Sequence, residues 1–291
     1  MSMPVVTRFA PSPTGDLHLG HALAAYVART MADKYGGRCY LRMEDMDTTR
    51  CRPQYMDAIV EDLAWLGISF EQEIVIQSER FYKYAEALEK LRQLGVLYPC
   101  FCTRKEVAAE IAAMGGAPQG EQIDIYPGTC RKLTHEHRAE LLQSGKPYCW
   151  RLDCRAAAKL TGPLEWIDLR FGKQLCRPEL LGDVILARKD CPTSYHIAVV
   201  VDDAAQGVTH VTRGKDLFSV TGVHRTLQAL LELPVPLWYH HELVCDEQGK
   251  RLAKRDKARS LREMREAGMS PTDVLRLLDG FIPRENEADA L

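Results

Sequence analysis

The chain has 291 residues, 46% of them hydrophobic and 27% charged, with a formal net charge of −2. It is long enough to bury a full core, has the composition of an ordinary globular protein, and is too acidic for a non-specific nucleic-acid binder. No apolar run approaches the roughly 20 residues that span a bilayer. Pro4, Val5 and Val6 lead into the first motif without a charged-plus-apolar leader, so a cytoplasmic, non-membrane protein is expected.

Val5–Phe9 reads as a short buried strand entering a Pro/Gly turn. Helical spacing runs from Gly20 to about Tyr35 and stops at Gly36-Gly37. Arg38–Met43 is the next strand, with Glu44 to Asp47 at its C-terminal end. Met56 to Leu66 and Arg80 to Leu94 read as helices stopped by Gly67 and Gly95. This alternation predicts an α/β fold with a parallel sheet. From residue 98 to 188 cysteines cluster, 115–120 reads as a flexible loop, and Trp150–Leu152 and Trp166–Phe171 read as strands. We take 98–188 as an insertion between two halves of the sheet, 1–97 and 189–257. Tyr195–Val201 reads as a buried strand capped by Asp202-Asp203. Thr209–Thr212 is a further strand, Leu217–Leu231 a helix, and Leu237–Val244 leads into a basic loop. Residues 258–291 form a C-terminal segment whose helix starts at Ser270-Pro271 and ends near Leu278, followed by a polar tail after Pro283.

His18-x-Gly20-His21 sits where a strand passes into a helix. Free backbone N–H groups and the helix dipole attract phosphates there. Gly20 allows a close approach, and two imidazoles can donate to phosphate oxygens as charge develops. Taken alone, His-x-Gly-His also fits two surface histidines at a helix start. Lys254 lies in the cationic run Lys250-Arg251-Leu252-Ala253-Lys254-Arg255, suited to a pentacovalent phosphorus and a pyrophosphate leaving group, or simply to a solvated face. Lys250, Arg251, Lys254, Arg255, Lys257, Arg259, Arg262 and Arg265 make the one basic cluster available for RNA. Arg8 and Arg213 are natural partners for a carboxylate, because the guanidinium fork bonds both oxygens. Glu44, at a strand terminus, can hold an ammonium, and Tyr195 can supply a hydroxyl and a wall; taken singly, each of these four residues also fits an ordinary salt-bridge or core position. Most of the ten cysteines read as reduced core residues. Cys100-x-Cys102 with Cys130 fits either a zinc site, one ligand short of a tetrahedron, or three more structural cysteines.

Arg8-Phe9-Ala10-Pro11-Ser12-Pro13-Thr14-Gly15 followed by His18-Leu19-Gly20-His21 resembles, almost letter for letter, the first ATP-handling signature of class I aminoacyl-tRNA synthetases of the glutamyl/glutaminyl subfamily. Arg251-Leu252-Ala253-Lys254-Arg255 resembles their second, Lys-Met-Ser-Lys-Ser, with arginine for its first lysine and alanine for its serine. Thr212 to Leu217 resembles a third family stretch. The resemblance implies a class I Rossmann-like parallel sheet carrying a zinc-bearing α+β insertion. It implies a glutamate pocket at Arg8, Ala10, Ser12, Glu44, Tyr195 and Arg213. It implies an ATP site, with Mg²⁺, at Pro11, His18, Gly20, His21 and Lys254, where His18, His21 and Lys254 are catalytic. Tyr126 becomes the fourth zinc ligand, with His135 and His137 as alternatives. Asp45 is a possible general base.

The chain stops at Leu291, soon after Lys254, where a glutamyl-tRNA synthetase would continue into an anticodon-reading domain. That brevity resembles the glutamyl-queuosine tRNA(Asp) synthetase group. Its members activate glutamate without tRNA and transfer it to queuosine in the anticodon loop of tRNA(Asp). A truncated enzyme charging the 3′ end of a tRNA and an inactive paralogue that binds ATP or RNA stay open beside it. A monomer is the default expectation.

Overall fold

The computed structural model describes residues 4–71, 73–113, 125–245 and 259–282. The strands are β1 (Val6–Phe9), β2 (Arg38–Met43), β3 (Val75–Ile76), β4 (Leu97–Cys100), β5 (Cys149–Leu152), β6 (Glu165–Asp168), β7 (Gly172–Leu175), β8 (Ile185–Ala187), β9 (His210–Gly214) and β10 (Leu237–His241). The helices are α1 (Leu19–Lys34), α2 (Pro53–Trp65), α3 (Phe81–Gln93), α4 (Arg104–Ala113), α5 (His135–Gln143), α6 (Cys154–Thr161), α7 (Tyr195–Ala205), α8 (Thr221–Leu230), α9 (Leu261–Glu266) and α10 (Pro271–Leu278).

Two parallel groups build the central layer. β1, β2 and β3 pair in that order, and β9, β10 and β6 pair in parallel with β7 antiparallel at the edge. The groups meet where Thr209 N donates to Val6 O at 2.9 Å and Val6 N donates to Thr209 Oγ1 at 2.8 Å. Further along, the Arg8 side chain reaches across to Thr212 O at 3.1 Å. β1 leads to β2 on one side and abuts β9 on the other. This is the point of reversal in strand order at which open α/β sheets bind ligands. β4, β5 and β8 form a separate antiparallel sheet. Residues 98–188 contribute to both layers, because β6 pairs with β10 at Trp238–Asp168. The expected α/β architecture with a parallel sheet is what the chain adopts.

Local chemistry explains most boundaries. Gly36 ends α1 with φ +57°, and a Cβ on Gly37 would lie 1.9 Å from Val5 O, so only glycine lets β2 start so close to β1. α2 begins three residues earlier than its apolar spacing suggests, since Pro53 sits at its first position and needs no hydrogen-bond partner. Ser260 and Ser270 each open a reciprocal capping box, with Glu263 and Asp273. α9 and α10 close the core around α1 with Leu261, Met264, Val274 and Leu278, each buried side chain contributing about 1.5–3 kcal/mol. No helix among the described residues is long and apolar enough to cross a membrane.

One element differs in kind from its expectation. Tyr195–Ala205 is a helix, not a strand. Its β-branched run Ile197, Val199, Val200 and Val201 packs in a core formed with α3, α6 and α8. A helix apolar on most sides loses the 3.6-residue signature that would have marked it. Asp202 and Asp203 are therefore helical residues, eight positions or fewer beyond Tyr195, rather than a strand cap. The expectations for 115–120, for most of the basic cluster and for the tail lie outside the described residues.

Asp202 anchors this helix. Its carboxylate accepts hydrogen bonds from Gln77 Nε2 (2.9 Å), Arg80 Nε (2.7 Å) and the Tyr84 hydroxyl (2.7 Å). Replacing Asp202 with Ala strands two buried donors and a guanidinium, so unfolding in urea should show a loss of about 3 kcal/mol or more.

Candidate active site

Arg8, Ala10, Pro11, Ser12, His18, His21, Glu44, Tyr195 and Arg213 line one cavity of about 530 Å³ at the C-terminal ends of β1 and β9. Phe9, Thr14, Ala24, Thr212, Gly214 and Leu217 complete it. The loop after β1 is held by Glu44 N donating to Pro11 O at 3.0 Å and Arg52 N to Pro13 O at 3.1 Å. That loop delivers the chain to the first turn of α1.

His18 caps α1: its Nδ1 accepts from Gly20 N at 3.2 Å, and His21 Nδ1 accepts from His18 N at 3.2 Å. The rings lie 3.9 Å apart, centroid to centroid. Each neutral imidazole therefore carries its proton on Nε2, which makes that atom the donor toward an anion. Gly20 is not among the cavity-lining residues; a Cβ there would sit 3.1 Å from His18 Cε1, so its small size makes room for the capping ring. Leu261 N donates to Leu17 O at 2.8 Å, and Ser260 bridges His18, so α9 is pinned beside the same helix start. Lys254 and its motif lie outside the described residues. Arg262 and Arg265, described members of the basic cluster, ion-pair with Asp16 and with Glu61 and Asp62.

Charge beside the cavity is arranged around Asp203, which reaches it through Arg8. Its Oδ1 accepts from Arg8 Nε at 2.9 Å and from Arg42 Nη1 at 2.8 Å. Burial works to raise this carboxyl, and the two guanidiniums more than reverse that, holding it below the usual carboxylate range. Glu44, whose side chain is 10% exposed, lies 3.5 Å from Arg42 Nη2. Burial raises the Glu44 carboxyl against the pull of Arg42 and Arg8. An ammonium in the cavity would favour its ionised form. Asp45 does not line the cavity: its two oxygens accept from Ser78 N (2.8 Å) and Ser78 Oγ (2.6 Å), which suits a clamp better than a base.

Arg213 is surrounded differently. It donates from Nε to His240 Nε2 (3.0 Å), from Nη1 to His224 Nδ1 (3.1 Å) and from Nη2 to Thr221 Oγ1 (2.6 Å). His240 Nδ1 in turn meets Asp168 Oδ2 at 2.5 Å, and His224 Nε2 meets His196 Nδ1 at 3.2 Å. Arg42, Asp203, Asp168, His196, His224 and His240 were not singled out as site residues from the sequence. Reading Tyr195–Asp203 as a helix would have put Asp203 two turns along from His196; nothing local marks His224 or His240.

The cysteine cluster forms at the end of β4. Cys100, Cys102 and Cys130 place their sulfurs within 4.8 Å of one another. Tyr126 Oη lies 3.4 Å from the sulfurs of both Cys100 and Cys102, and Cys102 Sγ lies 3.4 Å from Cys130 Sγ. Ligands of a tetrahedral zinc bound at about 2.3 Å are separated by roughly 3.7 Å, so three thiols and this phenol fit one ion. Cys100 faces Cys149 across the antiparallel register. The thiols share one proton balance: hydrogen bonds from Cys130 and Cys149 favour the Cys100 thiolate, and the same bonds raise the Cys130 and Cys149 thiols. Arg151 stacks 3.9 Å from the centroid of the Tyr126 ring and holds it in place. His135 and His137 are exposed on α5 and are not part of the cluster among the described residues.

Burial pushes the His196 imidazole down to about 4 and the His224 imidazole well below its ordinary value, in both cases helped by the Arg213 charge. An unfolded histidine titrates near 6.5. Between about 6.5 and about 4 the unfolded chain thus binds protons that the folded chain refuses. Stability should be full above that window and fall as pH drops through it. The slope of unfolding free energy against pH, from urea titrations, should shrink by up to about one proton in His196→Gln.

Comparison with known proteins gives one consistent answer. Residues 4–287 match the family model for the catalytic domain of class I tRNA synthetases (E and Q). A glutamyl-Q tRNA(Asp) synthetase of Rhodobacter capsulatus is 48% identical, over 94% of this chain and 99% of that one. One from Nocardia farcinica is 41% identical over 97% and 88%. Glutamate–tRNA ligase 2 of Gluconobacter oxydans is 38% identical, over 93% of this chain and 60% of that protein. The crystal structure of a glutamate–tRNA synthetase from Elizabethkingia anophelis superposes with a TM-score of 0.75 at 30% identity, covering 87% of this chain and 53% of that one. This chain spans about half of that solved enzyme. It belongs to the class I tRNA synthetases of the E and Q family, among the glutamyl-Q tRNA(Asp) synthetases.

Proposed function

We propose that the chain activates glutamate with Mg·ATP and transfers it to the queuosine base at the first anticodon position of tRNA(Asp). The observation that carries the activation step is the cavity at the strand-order reversal. It brings a phosphate-ready helix start together with two arginines and a half-buried glutamate. The near-full-length likeness to proteins named glutamyl-Q tRNA(Asp) synthetases supports the choice of acceptor.

In this reading the α-carboxylate of glutamate attacks the α-phosphorus of ATP in line. Pyrophosphate leaves and glutamyl-adenylate forms. A hydroxyl of the queuosine cyclopentene ring then attacks the acyl carbon, AMP departs with the bond electrons, and the hydroxyl proton passes to the departing phosphate. Arg213 and Tyr195 take the substrate's side chain, Arg8 lines the same wall, and Glu44 takes the ammonium. Ala10, Pro11 and Ser12 present the loop against which substrate lies. Nε2–H of His18 and of His21 donates to phosphate oxygens, and Lys254 stabilises the pyrophosphate as it forms. Positioning and electrostatics do the work, with no obligatory protein base. The cysteine site would hold zinc through Cys100, Cys102, Tyr126 and Cys130. With four protein ligands, its role is structural.

A second reading, charging the 3′ end of a tRNA, has the Gluconobacter glutamate–tRNA ligase in its favour. Labelled glutamate and ATP, offered with queuosine-containing tRNA(Asp) or with tRNA(Glu), separate the two. Label in the anticodon loop of tRNA(Asp), lost when the tRNA lacks queuosine, is the expected result. Label at the 3′ end of tRNA(Glu) would establish the second reading instead. The purified protein should also contain about one zinc per chain by elemental analysis, and Cys102→Ala should lower both that content and the melting temperature. Full melting stability with no bound metal would remove the structural role.

A further inference from the structure

We propose that His224, His240 and Thr221 are specificity-determining residues: they fix Arg213 with neutral acceptors rather than a hydrogen-bonded carboxylate, and so keep its positive charge for selecting a carboxylate over an amide. This rests on the reading above, in which Arg213 meets the substrate's side chain.

The hydrogen-bond directions agree along the entire chain of groups. His240 Nδ1 donates to Asp168 at 2.5 Å, so its Nε2 keeps a lone pair for Arg213 at 3.0 Å. His224 Nδ1 accepts from Arg213 at 3.1 Å, so its proton sits on Nε2 and goes to His196 at 3.2 Å. A protonated ring at either place would turn a donor toward a donor and a cation toward a cation. The surroundings keep both rings neutral. His240 is packed by Phe218 and Trp166, with ring centroids at 5.0 and 5.9 Å. His224 faces Tyr195 and His196 on α7, Arg213 on β9, Arg8 on β1 and His240 on β10, and none of these is an anion. Asp168 is the carboxylate of the network, and it is one imidazole removed from the guanidinium. Its other oxygen is taken by the backbone N–H groups of Arg170 and Phe171 at 2.9 and 3.1 Å.

Arg8 provides the internal contrast. It binds Asp203 directly at 2.9 Å and is already neutralised in part. Among the described residues no carboxylate hydrogen-bonds Arg213. A guanidinium has five donors and no acceptor; three of its N–H groups are held by His240, His224 and Thr221, and the Tyr195 hydroxyl is a further neutral partner. Offered glutamine, such a group gains only a carbonyl dipole and faces the amide's own donors. Offered glutamate, it gains a full ion pair in a buried site. A carboxylate in place of either imidazole would remove that difference.

The decisive pair of variants is His224→Asn and His224→Asp. Both offer Arg213 an acceptor oxygen in nearly the same shape, and they differ in charge and in whether the second terminal atom donates or accepts. ATP–pyrophosphate exchange would be measured with glutamate and, separately, with glutamine. We expect the ratio of kcat/KM for the two amino acids to stay near wild type in His224→Asn. In His224→Asp it should fall by roughly 10-fold or more, chiefly through a higher KM for glutamate. Equal ratios in the two variants would overturn the inference while leaving glutamate activation intact. Wild-type protein that shows no glutamate-dependent exchange would overturn the proposed function itself, and the inference with it. If both variants fail to fold, ¹⁵N NMR of the wild-type imidazoles at neutral pH decides. Neutral rings, with His240 protonated on Nδ1 and His224 on Nε2, are expected; an imidazolium or the opposite tautomer at either residue overturns the inference.

Discussion

A single carboxylate oxygen shared by two guanidiniums sets the geometry of this molecule. Asp203 on α7 binds Arg8 from β1 and Arg42 from β2 through the same Oδ1. A buried group of this kind tolerates little displacement, because losing either partner leaves an uncompensated charge in a poorly solvated place. Two neighbouring strands and the helix above them are thereby locked in register. Tyr195 begins that same helix, roughly 12 Å back along its axis at 1.5 Å per residue, so the cavity wall inherits its position from the ion cluster. Asp202, on the adjacent position, ties the helix to α3 and fixes its rotation.

Much of the fold was legible because its local and tertiary signals agree. β1, α1 and β2 were readable from a buried strand, a 3.6-residue spacing and two glycines whose lack of a side chain is required. α10 was readable from its capping serine and first-turn proline. α7 was misread because burial on several sides replaced amphipathic spacing with a β-branched run, and tertiary packing then overrode that run's preference for strand. α4 and α5 lie in a stretch where apolar periodicity is weak and the core is supplied largely by cysteines and aromatics.

Legibility of the site divides along similar lines. Arg8, Ala10, Pro11, Ser12, His18, His21, Glu44, Tyr195 and Arg213, most of them in short motifs near strand ends, line one cavity, whereas Gly20 stands behind His18 and Lys254 lies outside the described residues. Residues that hold those side chains come from β6, β10, α7 and α8, far apart in sequence and each unremarkable in its own segment. His240 has the look of a core histidine at a strand end, and only the fold reveals what it faces. The phenol beside the three thiols was likewise reached by family likeness, since nothing in the spacing of Tyr126 distinguishes it from a packed aromatic.

Arg213 also makes demands on the protein before any ligand arrives. It is 6% exposed and its hydrogen-bonding partners are neutral, so its desolvation is only partly offset. An apolar side chain of similar volume would remove that cost and, by the same stroke, the ability to capture an anion. Pressure toward heat resistance alone therefore pulls against this position. An anion settling beside Arg213, as the proposed function requires, would relieve that cost and make the occupied form the sturdier one. Survival of the folded chain against unfolding and proteolysis would then be tied to the abundance of what it binds.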